Sequence, residues 1–522
     1  MRDFHKPGRS TVYADQGMCA TSHPLAAQTA IALLQEGGNA VDAAIGAAIL
    51  LGLCEPQSTG IGGDMFALVA QPDGDIIGLN ASGRAPAGID ADAIRANHDE
   101  MPLYDVAAVT VPGAVDGFCR LHTDHGQLPL DRVLAPSIHY AEAGIPVAPR
   151  VAFDYEQSSS VLSGHARSIF LQDDKPLPVG ARFTAPGQAE VLRRVAAEGR
   201  AGFYEGEVAE DMVASLRALG GTHTLEDFAA TESNYVEPLR SSYRDAELLE
   251  LPPNGQGATA MLILNILETM DPQDDPFGTM RAHLEAEATK LGYDARDRFI
   301  ADMDHVTRLE HMLSKDTAKS LAGLIDGNAA MPDARAASDN VHKDTVYITV
   351  VDKDRRAVSL IYSIFHSFGS GFASDKFGVL FQNRGGGFTL EKGHPNEVGP
   401  GKRPMHTIIP GMLKLGDGSL MPFGVMGGAY QSTGHARFVS NVVDYGLDPQ
   451  AAIDAPRSFA EAGHIKVERG YAQAVHDGLA AKGHDVQIPA TAVGGAQAIR
   501  IRPDGVLEGG SDPRKDGIAL GY

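Results

Sequence analysis

"KDTVYITVVD", residues 343–352, places Thr345, preceded by Asp344, at the head of a run of β-formers deep inside a 522-residue chain. The segment before it, "GNAAMPDARAASDNVHKD" (327–344), is small, polar and without period, and reads as an exposed loop. The segment after it alternates between strand and turn. "TVYITVV" is dense in β-branched and aromatic residues, "DKDRR" is a turn, and "AVSLIYSIF" is a second strand, so 345–365 is expected to form a hairpin. The first strand is apolar on both faces, which predicts a sheet covered on both sides. A loop feeding directly into a buried central strand is what a chain cut just before Thr345 would need. An uncut chain gives the plainer reading, in which Thr345 is one more strand residue.

Upstream, residues 24–54 read as two helices. "HPLAAQTAIALLQEGG" has apolar residues at helical spacing and stops at Gly37-Gly38. "NAVDAAIGAAILLGLCEP" is apolar nearly all round, the mark of a buried helix. "STGIGGDMFALVA" is a glycine-rich turn entering a strand; as a phosphate loop it lacks the lysine and precedes the wrong element. "IIGLNASGRAPAG" reads as strand and turn, and "VTVPGAVDGF" as a strand ending in a Pro-Gly turn. From about 117 to 330 the pattern is mostly helical.

Composition narrows the function. The apolar fraction is 43% and the charged fraction 21%, ordinary for a chain with a large core. The formal charge of −23 disfavours nucleic acid and anionic membrane as partners. It also means that an anionic substrate needs local Arg or Lys. Cys19, Cys54 and Cys119 form neither a disulfide framework nor a metal spacing, which suits a reducing compartment. The first residues carry no apolar secretory core, and no apolar run is long enough to span a bilayer. A cytoplasmic location is therefore expected. No metal or organic cofactor is signalled; there is no HExxH.

The GxSxG serine-nucleophile signature is also absent. A threonine at a new amino terminus has another route to activation. Its own α-amine, with an unperturbed pKa of about 7.7–8.0, is placed to take the hydroxyl proton directly or through water. That chemistry requires scission of the Asp344–Thr345 bond, by attack of the Thr345 hydroxyl on the preceding carbonyl and hydrolysis of the resulting ester.

The stretches "GGNAVDAAIGAAILLGLCEPQSTGIGGD", "VTVPGAVDGF", "DTVYITVVDKD", "FGSGF", "GPGKRPMHTIIP", "GVMGGAYQ" and "SDPRKDGIALGY" occur in that order along the chain. Through them the sequence resembles the γ-glutamyltranspeptidase family of N-terminal nucleophile hydrolases, nearly end to end. The resemblance implies an α+β fold, a four-layer αββα sandwich forming one intertwined domain. It implies autocleavage of a zymogen into a large subunit, 1–344, and a small one of 522 − 344 = 178 residues, 345–522. A homodimer of the processed heterodimer is compatible with it. Thr345 matches the nucleophile, and Ser363 the hydroxyl residue that hydrogen-bonds it. Gly427 and Gly428 match the paired glycines whose N–H groups form the oxyanion hole.

Elsewhere the chain departs from the family pattern. Phe365 stands where the family has asparagine, and "FQNRGGGF" brings Arg384 and Gly387 where Gln and Asp are usual. An ammonium-binding acid is lost and a cation gained, which disfavours γ-glutamyl donors such as glutathione. The family arginine falls at Ser82, and Arg84, two residues on, is a candidate replacement if the segment is a strand. The serine pair becomes His406 and Thr407, with His406 either an anion ligand or a structural histidine. Arg384 is the better carboxylate ligand because its planar fork matches that group. The pattern is most similar to the oxamate amidohydrolase branch of ureide catabolism, with Phe365 shrinking the pocket for a two-carbon acid. The expected reaction is hydrolysis of a small carboxylate-bearing amide, oxamate to oxalate and ammonia. The alternatives are γ-glutamyl transfer or hydrolysis and a cephalosporin-acylase-like amidase.

Overall fold

The computed structural model describes residue 5 and residues 8–331 and 345–522. Of the 327–344 stretch read as a loop, 332–344 lie outside the described residues, and so does the Asp344 side of the expected cleavage bond.

Two seven-stranded antiparallel sheets stack on each other. The first runs Ile518–Gly521, Met18–Thr21, Val346–Val351, Ala357–Ser363, Asp64–Ala70, Ile76–Ala81, Asn234–Val236. The second runs Val12–Ala14, Leu507–Ser511, Gly495–Ile501, Leu420–Met426, Gly411–Lys414, Ala246–Glu250, Leu239–Tyr243. The expected hairpin is present as Val346–Val351 and Ala357–Ser363, at the centre of the first sheet.

Strand alternation explains why both faces of that hairpin are apolar. Val346, Ile348, Val350, Val358, Leu360 and Tyr362 join a core shared with the helices Pro24–Gln35 and Ala40–Cys54. Tyr347, Val351 and Ile361 face the second sheet, with Phe66, Leu249, Met412, Met426 and Ile499. Beyond the second sheet, Gly257–Glu268, Thr279–Phe299 and Gln431–Val443 close a further core. Helix, sheet, sheet, helix is the four-layer αββα order.

The predicted helix pair is present and tied to the hairpin. Asn39 and Asp42 form a capping box at the start of the fully buried Ala40–Cys54 helix. The Asp352 carboxylate, in the hairpin turn, accepts a hydrogen bond from Ala40 N–H at 3.0 Å. Two local expectations are corrected. Residues 109–113 form no strand, and Ala114–His125 is a helix, because Gly113 must pass close to Ala81 and, with φ −105 and ψ −19, leads straight into the helix start. The strand before Arg84 ends at Ala81, so side-chain alternation does not carry to residue 84. No helix among the described residues is long and apolar enough to cross a membrane.

Candidate active site

The hairpin register pairs Val346 with Tyr362, and one further step sets Thr345 across from Ser363. Both residues share the parity of Tyr347 and Ile361, so both point into the gap between the sheets. Their hydroxyl oxygens lie 3.3 Å apart, and both side chains are buried. Ser363 Oγ also accepts the Phe365 N–H at 2.9 Å.

That last bond requires an unusual backbone. Phe365 has φ +82, a left-handed conformation that a bulky residue adopts only under strain of order 1 kcal/mol. The turn aims its ring at Arg384, whose guanidinium carbon stands 4.1 Å from the ring centroid. Arg384 opens a short 3₁₀ turn and is fully buried. Nη1 donates to Thr407 Oγ1 at 2.9 Å, but Nε and Nη2 have no partner. Burial pulls its pKa down to about 9, against the pull of Asp64. An orphaned buried guanidinium is costly, and a bound carboxylate would relieve it.

Asp64 organises the back of the site, and the sequence analysis passed over it. It pairs with Ser363 across the sheet. Its Oδ1 accepts from Gly83 N–H (2.9 Å), Gly113 N–H (3.1 Å) and Gln382 Nε2 (2.9 Å), and Oδ2 lies 3.1 Å from His406 Nε2. A Cβ at Gly83 would sit 1.6 Å from Val111 O and one at Gly113 2.3 Å from Ala81 O, so glycine is needed for those two donors to approach. The string Gly62-Gly63-Asp64, weighed as a phosphate loop, was the available signal.

His406 is therefore a structural histidine rather than an anion ligand. It donates to Asp64, and its pKa falls to about 3, chiefly through burial and then through Arg384. Arg84 is likewise corrected. Its side chain is 44% exposed, 3.2 Å from Asp302 and bonded to Gly401 O at 2.9 Å, so it is engaged at the surface. Thr407, Phe365 and Arg384 do come together.

His406 also yields a pH prediction. Its folded pKa lies below the unfolded value near 6.5, so the unfolded chain takes up the proton first. The stability it contributes is present above pH 6.5 and is lost as pH falls toward about 3. Thermal midpoints from pH 7 to 4 should fall less steeply in His406→Gln, which keeps a donor to Asp64; an identical slope would refute this.

Gly427 and Gly428 follow the Leu420–Met426 strand, with φ +120 and +57. A Cβ at Gly427 would meet Gly494 Cα at 2.9 Å. They precede the Gln431–Val443 helix, where N–H groups lack intrahelical acceptors and the dipole favours negative charge. Gln256 Nε2 bonds both Thr407 O (2.7 Å) and Gly428 O (3.0 Å), coupling the Arg384 side to this turn. In front lies a cleft of about 370 Å³, lined by Thr345, Gly427, Met426, Tyr430, Lys515 and residues 487–494 among others.

Among the described residues, His283, Glu287 and His484 form a buried group with possible ligand atoms within 4.8 Å. His283 Nδ1 is already 2.8 Å from His484 Nε2, and Lys290 already sits on Glu287 at 2.8 Å, so the group is satisfied without a metal.

The γ-glutamyltranspeptidase family model matches residues 26–522. The chain belongs to the γ-glutamyltranspeptidase family. Like other members of this family, it is a hydrolase acting on amide C–N bonds. A Bacillus subtilis glutathione hydrolase-like YwrD proenzyme is 34% identical, covering 98% of this chain and 99% of the relative. A Klebsiella pneumoniae oxamate amidohydrolase proenzyme is also 34% identical, covering 98% of this chain and 100% of that one. The crystal structure of a cephalosporin acylase from Bacillus halodurans superposes with a TM-score of 0.92 at 37% identity, covering 100% of this chain and 99% of the other. The αββα sandwich is thus shared within the γ-glutamyltranspeptidase family, while the relatives' named substrates differ.

Proposed function

We propose that the chain is a precursor cut between Asp344 and Thr345, and that the product hydrolyses a small amide whose acyl half carries a carboxylate, oxamate being the simplest. The observation that carries this reading is the buried guanidinium of Arg384, with Nε and Nη2 unpartnered behind Phe365. A carboxylate adjoining the scissile carbonyl satisfies both N–H groups at once. The name of the Klebsiella pneumoniae relative points to the same substrate class.

In this mechanism the new α-amine of Thr345 takes the hydroxyl proton as the oxygen attacks the amide carbon. Ser363 holds the threonine oxygen. The carbonyl oxygen becomes an oxyanion held by the N–H groups of Gly427 and Gly428, a contact worth about 3–4 kcal/mol in the transition state. The α-amine then returns the proton to the departing nitrogen, and ammonia leaves. Water, deprotonated by the same amine, hydrolyses the acyl-threonine ester and releases oxalate.

A γ-glutamyl donor would need an acid for its α-ammonium. The cleft carboxylates Asp154 and Glu461 are each held by a cation, Arg150 at 2.8 Å and Lys466 at 2.9 Å. A cephalosporin-acylase-like reading draws support from the roomy cleft and from the Bacillus halodurans structure. Incubation of processed protein with oxamate, reading ammonia, tests the main reading. Much faster turnover of a γ-glutamyl anilide would overturn it.

A further inference from the structure

Gln256 spans the two halves of the site, and the reaction as written does not use it. It stands at the start of the Gly257–Glu268 helix, fully buried, in the turn "LPPNGQG", 251–257. That turn is tied to the segment carrying Thr407. Asn254 O accepts the His406 N–H at 2.8 Å, and Asn254 Nδ2 donates to Pro404 O at 2.8 Å. The chemistry of its neighbours fixes which way the Gln256 amide points. Thr407 O (2.7 Å) and Gly428 O (3.0 Å) are acceptors, so both face the NH₂ group, and Arg296 Nη1 is a donor 3.4 Å from Oε1. Ser432 Oγ donates to the Gln256 carbonyl at 3.1 Å. One side-chain nitrogen thus touches two separate stretches of backbone.

On one side, Thr407 Oγ1 accepts from Arg384 Nη1 at 2.9 Å, so Gln256 holds the residue that holds the guanidinium. On the other side it holds Gly428. Glycine has the freest backbone of any residue, so a Gly-Gly pair keeps one conformation only if its surroundings impose it. In a planar trans peptide the N–H points away from the C=O. Tyr430 N–H bonds Gly427 O at 3.1 Å and sets the plane that carries the Gly428 N–H. Gln256 bonds Gly428 O and sets the next plane. With both planes fixed, Gly428 is held at its φ of +57 and its N–H keeps one direction.

We propose that Gln256 is a positioning residue that sets the acyl-carboxylate site and the oxyanion turn at one fixed separation, so that the contact at Arg384 places the scissile carbonyl against the Gly428 N–H. The inference rests on the acyl assignment made above. In oxamate the carboxylate carbon is bonded directly to the amide carbon, so the acyl unit is short. A shift of either site by about 1 Å breaks one contact when the other is made, and misplacement on that scale is felt in the rate. Without Gln256 the carboxylate still binds Arg384, but its binding no longer aims the carbonyl, and the interaction is lost where it matters, in the transition state.

The test compares oxamate with oxamide, its neutral isostere, by initial rates of ammonia release from processed enzyme. The ratio of their kcat/KM values does not depend on how much of a preparation is active. The parent is expected to favour oxamate by about 10²-fold, the effect of a charge-assisted fork contact. Gln256→Met should lower that preference about tenfold, the scale of coupling within one hydrogen-bonded network. The loss should fall on kcat, with KM for oxamate little changed. Gln256→Asn keeps an amide at a helix start, where Asn is favoured, but is one methylene too short to reach both carbonyls. It should behave as Gln256→Met does, and it carries the measurement if that variant does not fold. A preference unmoved in a folded variant, or lost through KM alone, overturns the proposal. A parent that hydrolyses oxamate no faster than oxamide overturns the acyl assignment first, and this inference with it.

Discussion

Replacing Thr345 with alanine is expected to leave one 55.1 kDa species on a denaturing gel, where the parent chain gives two fragments. Amidase activity should drop by at least about 10⁴-fold, the scale on which removal of a covalent nucleophile is felt. The two effects have one cause. The hydroxyl that attacks the preceding carbonyl in the precursor is the one that attacks substrate in the product. Folding should survive, because Thr345 stands before the first ladder pair of its strand. Activity retained without cleavage would sink the proposed mechanism, and so would an active fragment that does not begin Thr-Val-Tyr-Ile.

The second large effect couples function and stability with opposite signs. Arg384→Met should lower kcat/KM for oxamate about 10²–10³-fold, equivalent to roughly 3–4 kcal/mol. The same variant should be as stable as the parent or more so by up to a few kcal/mol, since a buried charge with two unpaired N–H groups is replaced by an apolar chain of similar length. Asp64 keeps its four contacts, none of which comes from Arg384. Arg384→Lys keeps the charge without the fork and should recover only part of the rate. Urea midpoints and steady-state kinetics on the same preparations decide the matter. A variant that loses stability while keeping kcat/KM would assign Arg384 a structural role.

The nature of each signal decided how much of the site was legible. Thr345, Ser363 and the Gly427-Gly428 pair sit in local strings, and strand parity fixes which way the first two point. Arg384 was legible because a cation replaced an acid in a recognisable string. Arg84 and His406 were placed by position alone with two readings open, and their partners decided between them: Asp302 and Gly401 hold the arginine at the surface, and Asp64 takes the histidine. Asp64 itself was missed because its donors come from residues 83, 113, 382 and 406, and no local pattern relates them.

The sequence alone determined the local elements, because alternation and helical period set which faces are apolar, and through its resemblance to the γ-glutamyltranspeptidase family it implied the four-layer order. It also singled out the candidate nucleophile, a threonine at the head of a buried strand within a string that resembles the family's. Only the tertiary structure decided which charges are compensated. Whether an arginine, histidine or lysine is a ligand or a structural ion depends on what lies within about 3 Å of it, and those neighbours arrive from distant parts of the chain.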